Sequence, residues 1–168
     1  MRRSRARALV LLAVLGATAP AWGQDGPRPR SLPAAVVRVL SGDSINVFVN
    51  GEVERVRYIG VTSPEPGADD VQGREALQFN RGLVNLRNVR LELDQQERDP
   101  DGRLLAYVWI GDVMANAEVI GTGHGQVVSG GPNVRYQELL LRRQQEARAS
   151  RLGIWRTAGP PPPGPGRR

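Results

Sequence analysis

The sequence lacks cysteine and lysine, and it contains a single histidine, His124. Without cysteine, the chain can form neither a disulfide framework nor a lipoprotein anchor. With one histidine and no cysteine, a zinc site built from these two ligand types is also excluded. The stability of the folded part must therefore come from its apolar core.

The distribution of charge limits how the protein can bind nucleic acid. The net charge is +6, and all 23 basic residues are arginines. Between Pro33 and Arg156, however, 15 arginines stand against 16 acidic residues, which leaves a net charge of −1. Non-specific binding to nucleic acid increases with the number of cations placed on phosphates. Any nucleic-acid function must therefore come from a local site.

The first 23 residues have the three parts of a secretory signal peptide. An arginine-rich start is followed by an apolar run at 8–19, and Ala21 and Gly23 provide the small residues that precede a cleavage site. The apolar run of ~12 residues falls short of the ~20 that cross a bilayer. We expect cleavage before Gln24, export by the general route, a secreted or periplasmic location and no stable membrane insertion afterwards. The alternative is an uncleaved N-terminal anchor.

Proline-rich stretches flank the part of the chain that is expected to fold. Residues 24–33 are predicted to be a linker, and 157–168 a disordered tail that contains four consecutive prolines and favours extended conformations. The segment between them, 34–156, has room for one domain with its own core. We expect it to be a monomer.

The pattern of apolar residues predicts five strands and three helices. The three helices are expected to begin near Gly73, Met114 and Tyr136, and the first is expected to bury Ala76, Phe79, Leu83 and Leu86. The β-branched and alternating segments that predict strands are 35–40, 45–49, 53–61, 89–93 and 104–110. The order β-β-β-α-β-β-α-α predicts an α+β, mainly β fold, with a five-stranded OB-fold barrel and three helices.

Several short motifs occur in a characteristic order. They are Ser41-Gly42-Asp43-Ser44-Ile45, then 56–65 (VRYIGVTSPE), 98–109 (RDPDGRLLAYVW), Met114-Ala115-Asn116, 132–136 (PNVRY) and Gly153-Ile154-Trp155. Their order and spacing resemble the staphylococcal-nuclease (thermonuclease) family over 34–156. The resemblance implies a calcium-dependent endonuclease that cleaves DNA and RNA phosphodiesters in a shallow pocket on the barrel.

The resemblance also implies roles for individual residues. The general base falls on Glu65, and the two arginines that hold the phosphate fall on Arg57 and Arg103. These residue types suit the chemistry, because guanidinium groups stay charged and bind phosphate oxygens through paired donors. An ionised carboxylate can accept a proton from the attacking water. The calcium ligands fall on Asp43, Thr62 and Ser63, and Ca²⁺ prefers oxygen ligands of this kind.

The sequence departs from the family pattern at three places. Thr62 replaces the second aspartate of the calcium site, so calcium is expected to bind weakly. Asp101 occupies the position of a tyrosine that contacts the nucleotide, and 129–131 lacks the other such tyrosines. Asp69 or Asp70 could supply a replacement carboxylate.

Two other functions remain open at this point. The first is a catalytically weak or inactive OB-fold module that binds nucleic acid, which the Thr62 change, the missing tyrosines and the near-neutral charge of the domain favour. The second is an envelope-associated interaction protein that uses the proline-rich tail. The joint presence of Arg57, Glu65 and Arg103 favours the enzyme, since a binding module has no need of a base between two arginines.

Overall fold

The structure is a computed structural model, and it describes residues 29–67 and 70–156. The predicted signal peptide, most of the predicted linker and the proline-rich tail lie outside the described residues and stay predictions. The strands are β1 (Ser31–Val39), β2 (Ser44–Val49), β3 (Glu52–Tyr58), β4 (Val61–Thr62), β5 (Asn88–Glu92), β6 (Leu104–Ile110), β7 (Val113–Met114) and β8 (Gln126–Val127). The helices are α1 (Val71–Val84), α2 (Ala115–Gly121) and α3 (Gln137–Ala149), followed by a 3₁₀ turn at Gly153–Trp155.

Five of the strands form a closed barrel. The sheet order is β3-β2-β1-β5-β6, and a parallel pairing of β3 with β6 closes the ring. Alternate side chains of each strand face inward, as Ile45, Val47 and Val49 of β2 do. The predicted five-stranded OB-fold barrel with three helices is confirmed.

The helices cover the barrel and join its strands. In α3, Leu140 and Ala147 are the buried residues. The buried Asn116 of α2 accepts a hydrogen bond from the backbone N–H of Val108 and donates to the carbonyl of Ile59. It therefore ties α2 to β6 and to the end of β3. Within the described ranges, no helix has the length and apolar character needed to cross a membrane.

The structure departs from the predicted elements at several places. Strand β1 starts at Ser31, which pairs with Glu92 of β5, so the assignment of 31–33 to the linker is wrong. Strand β3 ends at Tyr58, because the chain turns at Gly60 with φ of 73°. Leu86 is not on the buried face of α1, since it follows the helix with φ of 56° and is 80% exposed.

Candidate active site

The barrel places Arg57 and Arg103 in one surface pocket. Arg57 lies on β3 and Arg103 directly precedes β6, and the parallel pairing sets Arg57 beside Leu105. Both arginines line an open pocket with a volume of about 400 Å³. The loop containing Gly130 and Gly131 lines the same pocket. Two guanidinium groups on one pocket can bind an anion such as a phosphate.

Two aspartates hold the side chain of Arg103. Its Nε donates to Asp99 Oδ2 at 2.6 Å, and its Nη2 lies 2.8 Å from Asp101 Oδ2. The side chain of Asp99 is 11% exposed and that of Asp101 is 71% exposed. Burial raises the pKa of Asp99, but hydrogen bonds from the Arg103 side chain and backbone outweigh that effect and lower it. Asp99 is thus a partly buried, ionised group that fixes Arg103, whereas the Asp101 contact is open to water.

Asp43 connects three segments of the barrel. Its carboxylate is buried, and Oδ1 accepts a hydrogen bond from Ser41 Oγ at 2.7 Å. Oδ2 accepts from the backbone N–H of Ser63 at 3.1 Å and lies 3.7 Å from Arg57 Nη2. The turn before β2, the end of β3 and the segment after β4 therefore meet at this carboxylate.

The remaining predicted site residues follow one another along the chain. Thr62 is on β4 and pairs with Gln126 of β8. Ser63 comes next, and its Oγ is buried without a hydrogen-bond partner among the described atoms. Glu65 is exposed and is not among the residues that line the arginine pocket. The structure thus joins Asp43 to Ser63 and Arg57. Glu65 follows Ser63 by two residues in the sequence and is not part of the lining of the arginine pocket.

Helix α1 supports the loop that carries Glu65. A Cβ atom at Gly73 would overlap the backbone carbonyl of Glu65. The same carbonyl accepts a hydrogen bond from the N–H of Gly67 at 2.8 Å. Asp70 caps α1, since its Oδ1 accepts from the N–H of Gly73 at 3.1 Å. The Asp70 side chain is therefore used as a helix cap. Asp69, the other candidate for a replacement carboxylate, lies outside the described residues.

Asn80 is a buried residue behind the site that the sequence analysis did not single out. Its Nδ2 donates to the carbonyl of Ser41 at 2.8 Å, and its Oδ1 accepts from Tyr58 Oη at 2.9 Å. Burial raises the pKa of Tyr58, so the phenol stays protonated and keeps donating. Asn80 thereby links α1 to the turn that presents Asp43. The sequence signal for this role is the spacing. Asn80 lies four positions after the buried Ala76, and residues four apart share one face of a helix.

Replacing Asn80 with alanine is expected to destabilise the fold by about 1–3 kcal/mol, because it leaves the Ser41 carbonyl and the Tyr58 hydroxyl unpaired in the interior. Urea unfolding of both proteins measures the change. Asn85→Ala serves as the control, since Asn85 is exposed after the end of α1 and should change stability by less than ~0.5 kcal/mol. Equal losses in the two variants would contradict the role given to Asn80.

The fold and the pocket together define a class of protein. A closed OB-fold barrel carries two arginines in a surface pocket, and a buried carboxylate lies beside one of them. This arrangement suits a protein that binds phosphate groups of nucleic acids on its barrel.

Comparison with known proteins identifies the family. The family described as "Staphylococcal nuclease homologue" matches residues 55–157. The chain is 38% identical over 124 residues to a thermonuclease of Staphylococcus intermedius, which covers 71% of this chain and 74% of that protein. It is 37% identical over 124 residues to a thermonuclease of Staphylococcus hyicus, with 71% and 73% covered. It is 35% identical over 128 residues to endonuclease YncB of Bacillus subtilis (strain 168), with 73% and 61% covered.

The chain belongs to the staphylococcal nuclease family. This confirms the resemblance found in the sequence motifs. Family membership makes the protein a nuclease, an enzyme that hydrolyses phosphodiester bonds.

Proposed function

We propose that this protein is an exported, calcium-assisted endonuclease in which Glu65 is the general base and Arg57 and Arg103 bind the scissile phosphate of DNA or RNA. The observation that carries the proposal is the meeting of Arg57 and Arg103 in one pocket. The buried Asp43 beside Arg57 supports it. Export rests on the signal-peptide pattern of the first 23 residues.

The proposed reaction is the hydrolysis of one P–O bond. Arg57 and Arg103 hold the phosphate and stabilise the charge that grows on its oxygens in the transition state. Glu65 takes a proton from a water molecule as the water oxygen bonds to phosphorus. The bond to the leaving sugar oxygen breaks, and that oxygen takes up a proton. Exposure of Glu65 leaves it open to both water and substrate.

The residues near Asp43 suit a weak calcium site. The buried carboxylate would supply negative charge, and the unpartnered hydroxyl of Ser63 would be a further oxygen ligand. In the described part of the chain, no three acidic, histidine or cysteine residues cluster as a metal site. Asp43, Thr62 and Ser63 would therefore hold Ca²⁺ with few charged ligands. When bound, calcium would supply charge neutralisation at the phosphate.

Replacing Thr62 with aspartate is expected to tighten calcium binding, because it adds a second carboxylate ligand. The calcium concentration for half-maximal cleavage should fall. Calorimetric titration of calcium into both proteins, together with activity at graded calcium concentrations, measures the change. Thr62→Asn is the control of similar shape without the charge. Unchanged affinity in Thr62→Asp would place the ion elsewhere.

Replacing Asp101 with asparagine is expected to improve substrate binding, because the exposed carboxylate competes with phosphate for Arg103. An exposed ion pair contributes up to ~1 kcal/mol, so KM should fall by as much as about fivefold. Steady-state cleavage of a short oligonucleotide measures it. Asp112→Asn, at the turn between β6 and β7, removes an exposed charge elsewhere and should leave KM unchanged. A raised KM in Asp101→Asn would contradict competition.

The second candidate is a weakly active OB-fold module that binds nucleic acid. The pairing of Arg103 with both Asp99 and Asp101 favours it, as does the neutral Thr62. Incubation of residues 24–168 with plasmid DNA and with RNA, in calcium and in chelator, separates the two functions. Calcium-dependent degradation supports the enzyme. Binding without degradation supports the module.

A further inference from the structure

We propose that the outer face of β1, β2 and β3 is a binding surface for single-stranded nucleic acid that leads away from the arginine pocket. The inference rests on the proposed nuclease site, which fixes where the bound strand is cut. It adds a second group of residues that hold the strand beyond the scissile phosphate.

The strand register sets the residues of this face in rows. Ser44 lies opposite Arg57, the pocket arginine. One row further along the strands, Asn46 lies between Arg38 and Arg55. In the row after that, Phe48 lies between Ala35 and Val53. On β2 and β3 the residues of successive rows are two apart, so their side chains point to the same side of the sheet. On β1 the register shifts between Val36 and Arg38, and this irregularity brings Arg38 and Ala35 into the rows. We call this set the outer face.

The outer face carries two arginines that pair with no other side chain among the described residues. Arg38 and Arg55 are exposed, and neither side chain has a hydrogen bond or an ion pair within the described residues. By contrast, Arg98 is paired with Glu54 and Arg135 with Glu92. The three rows hold three arginines and no acidic residue. In a domain with a net charge near zero, this is a local surface suited to an anion.

The same face exposes two neighbouring apolar side chains. Phe48 is 50% exposed and Val53 is 59% exposed, and they are direct cross-strand neighbours. An exposed aromatic ring beside cations is the arrangement that binds single-stranded nucleic acid, with a base stacked on the ring and phosphates on the arginines. A base inside a duplex is already stacked on its neighbours. The combination therefore favours single strands.

The spacing of the rows fits an extended strand. Residues two apart on a β-strand are separated by about 6.7 Å. Each row is thus about one nucleotide further from the pocket than the row before it. A strand with its scissile phosphate at Arg57 would place the following phosphates within reach of the long side chains of Arg55 and Arg38, which flank the same row, and a base near Phe48.

Binding is best measured where cleavage does not interfere, so each change is made with Glu65→Gln. The probe is a fluorescent single strand of about 12 nucleotides, within the range that an OB fold covers. Arg38→Gln/Arg55→Gln should weaken binding roughly tenfold and reduce the slope of log affinity against log salt by about 1.4, the value for two lost phosphate contacts. Phe48→Ala should weaken it roughly tenfold as well, with little change in the salt slope.

The control variant is Arg81→Gln/Arg142→Gln, which removes two exposed arginines from α1 and α3. It should bind like the parent. Unchanged affinity in the outer-face variants would overturn the inference. Weaker binding in the control variant by the same factor would do so too, since it would show a general effect of charge.

Cleavage in the background that retains Glu65 separates this inference from the proposed function. We expect the outer-face variants to raise KM for the long strand several-fold and to leave the cleavage of a dinucleotide unchanged. Absence of any cleavage by the parent, together with the loss of binding in the variants, would reject the nuclease site and keep the binding surface. Normal cleavage with an unchanged KM in all variants would reject the surface and keep the nuclease.

Discussion

Glu65→Gln is expected to lower the rate of phosphodiester cleavage by ~10²–10⁴-fold, the range typical of losing a general base. Glutamine keeps the size of the side chain and removes its ability to take a proton from water. Stability should change little, because Glu65 is exposed and its backbone carbonyl, not its side chain, meets α1. The measurement is kcat on a defined oligonucleotide in saturating calcium.

A matched substitution at another exposed glutamate serves as the control. Glu138→Gln, in the first turn of α3, removes an exposed carboxylate of the same kind far along the chain and should cleave at the parent rate. Cleavage by Glu65→Gln at the parent rate would show that another group activates the water. The loss should appear mainly in kcat, since Glu65 acts on the attacking water and the arginines bind the phosphate.

Arg103→Lys is the second change with a large expected effect, a loss of roughly 10²–10³-fold in kcat/KM. Arg103 uses Nε to bond Asp99 and Nη2 to pair with the exposed Asp101, and the residue lines the pocket. A lysine ammonium keeps the charge but cannot bond Asp99 and present paired donors to a phosphate at the same time. The side chain would therefore lose either its anchor or its substrate contact.

The control for this change is Arg142→Lys, which keeps an exposed cation on α3 and should be neutral. A second variant, Asp99→Asn, tests the anchor itself. It should lower kcat/KM less than Arg103→Lys, because the guanidinium remains but is held less firmly. Full activity in Arg103→Lys would mean that a point charge is enough at this position.

The barrel could be predicted from sequence because its strands carry strong local signals. The alternation in 89–93 and the apolar run in 104–110 correspond to β5 and β6, and Asn50-Gly51 forms the turn between β2 and β3, where both residues have positive φ. The motifs added what periodicity cannot supply, the order of the strands in a closed sheet. Of the predicted site residues, the structure brings Arg57 and Arg103 into one pocket.

The rest depends on contacts between distant parts of the chain. Asn80 meets Ser41 and Tyr58 only after α1 packs on the barrel, so its role has no local signature. The ion pair between Asp101 and Arg103 depends on how the turn before β6 folds. Ser31 looked like linker because proline and arginine surround it, yet backbone pairing with β5 extends the strand to this residue.

The most direct test of the account is cleavage of single-stranded DNA by residues 24–168 in ¹⁸O-labelled water with calcium, alongside Glu65→Gln. The account predicts that the parent protein cuts the strand and that mass spectrometry finds one ¹⁸O atom in the new terminal phosphate for each cut. Glu65→Gln should leave the strand intact over the same time. An intact strand with the folded parent protein, or cuts of equal number in both proteins, would contradict a nuclease in which Glu65 activates water.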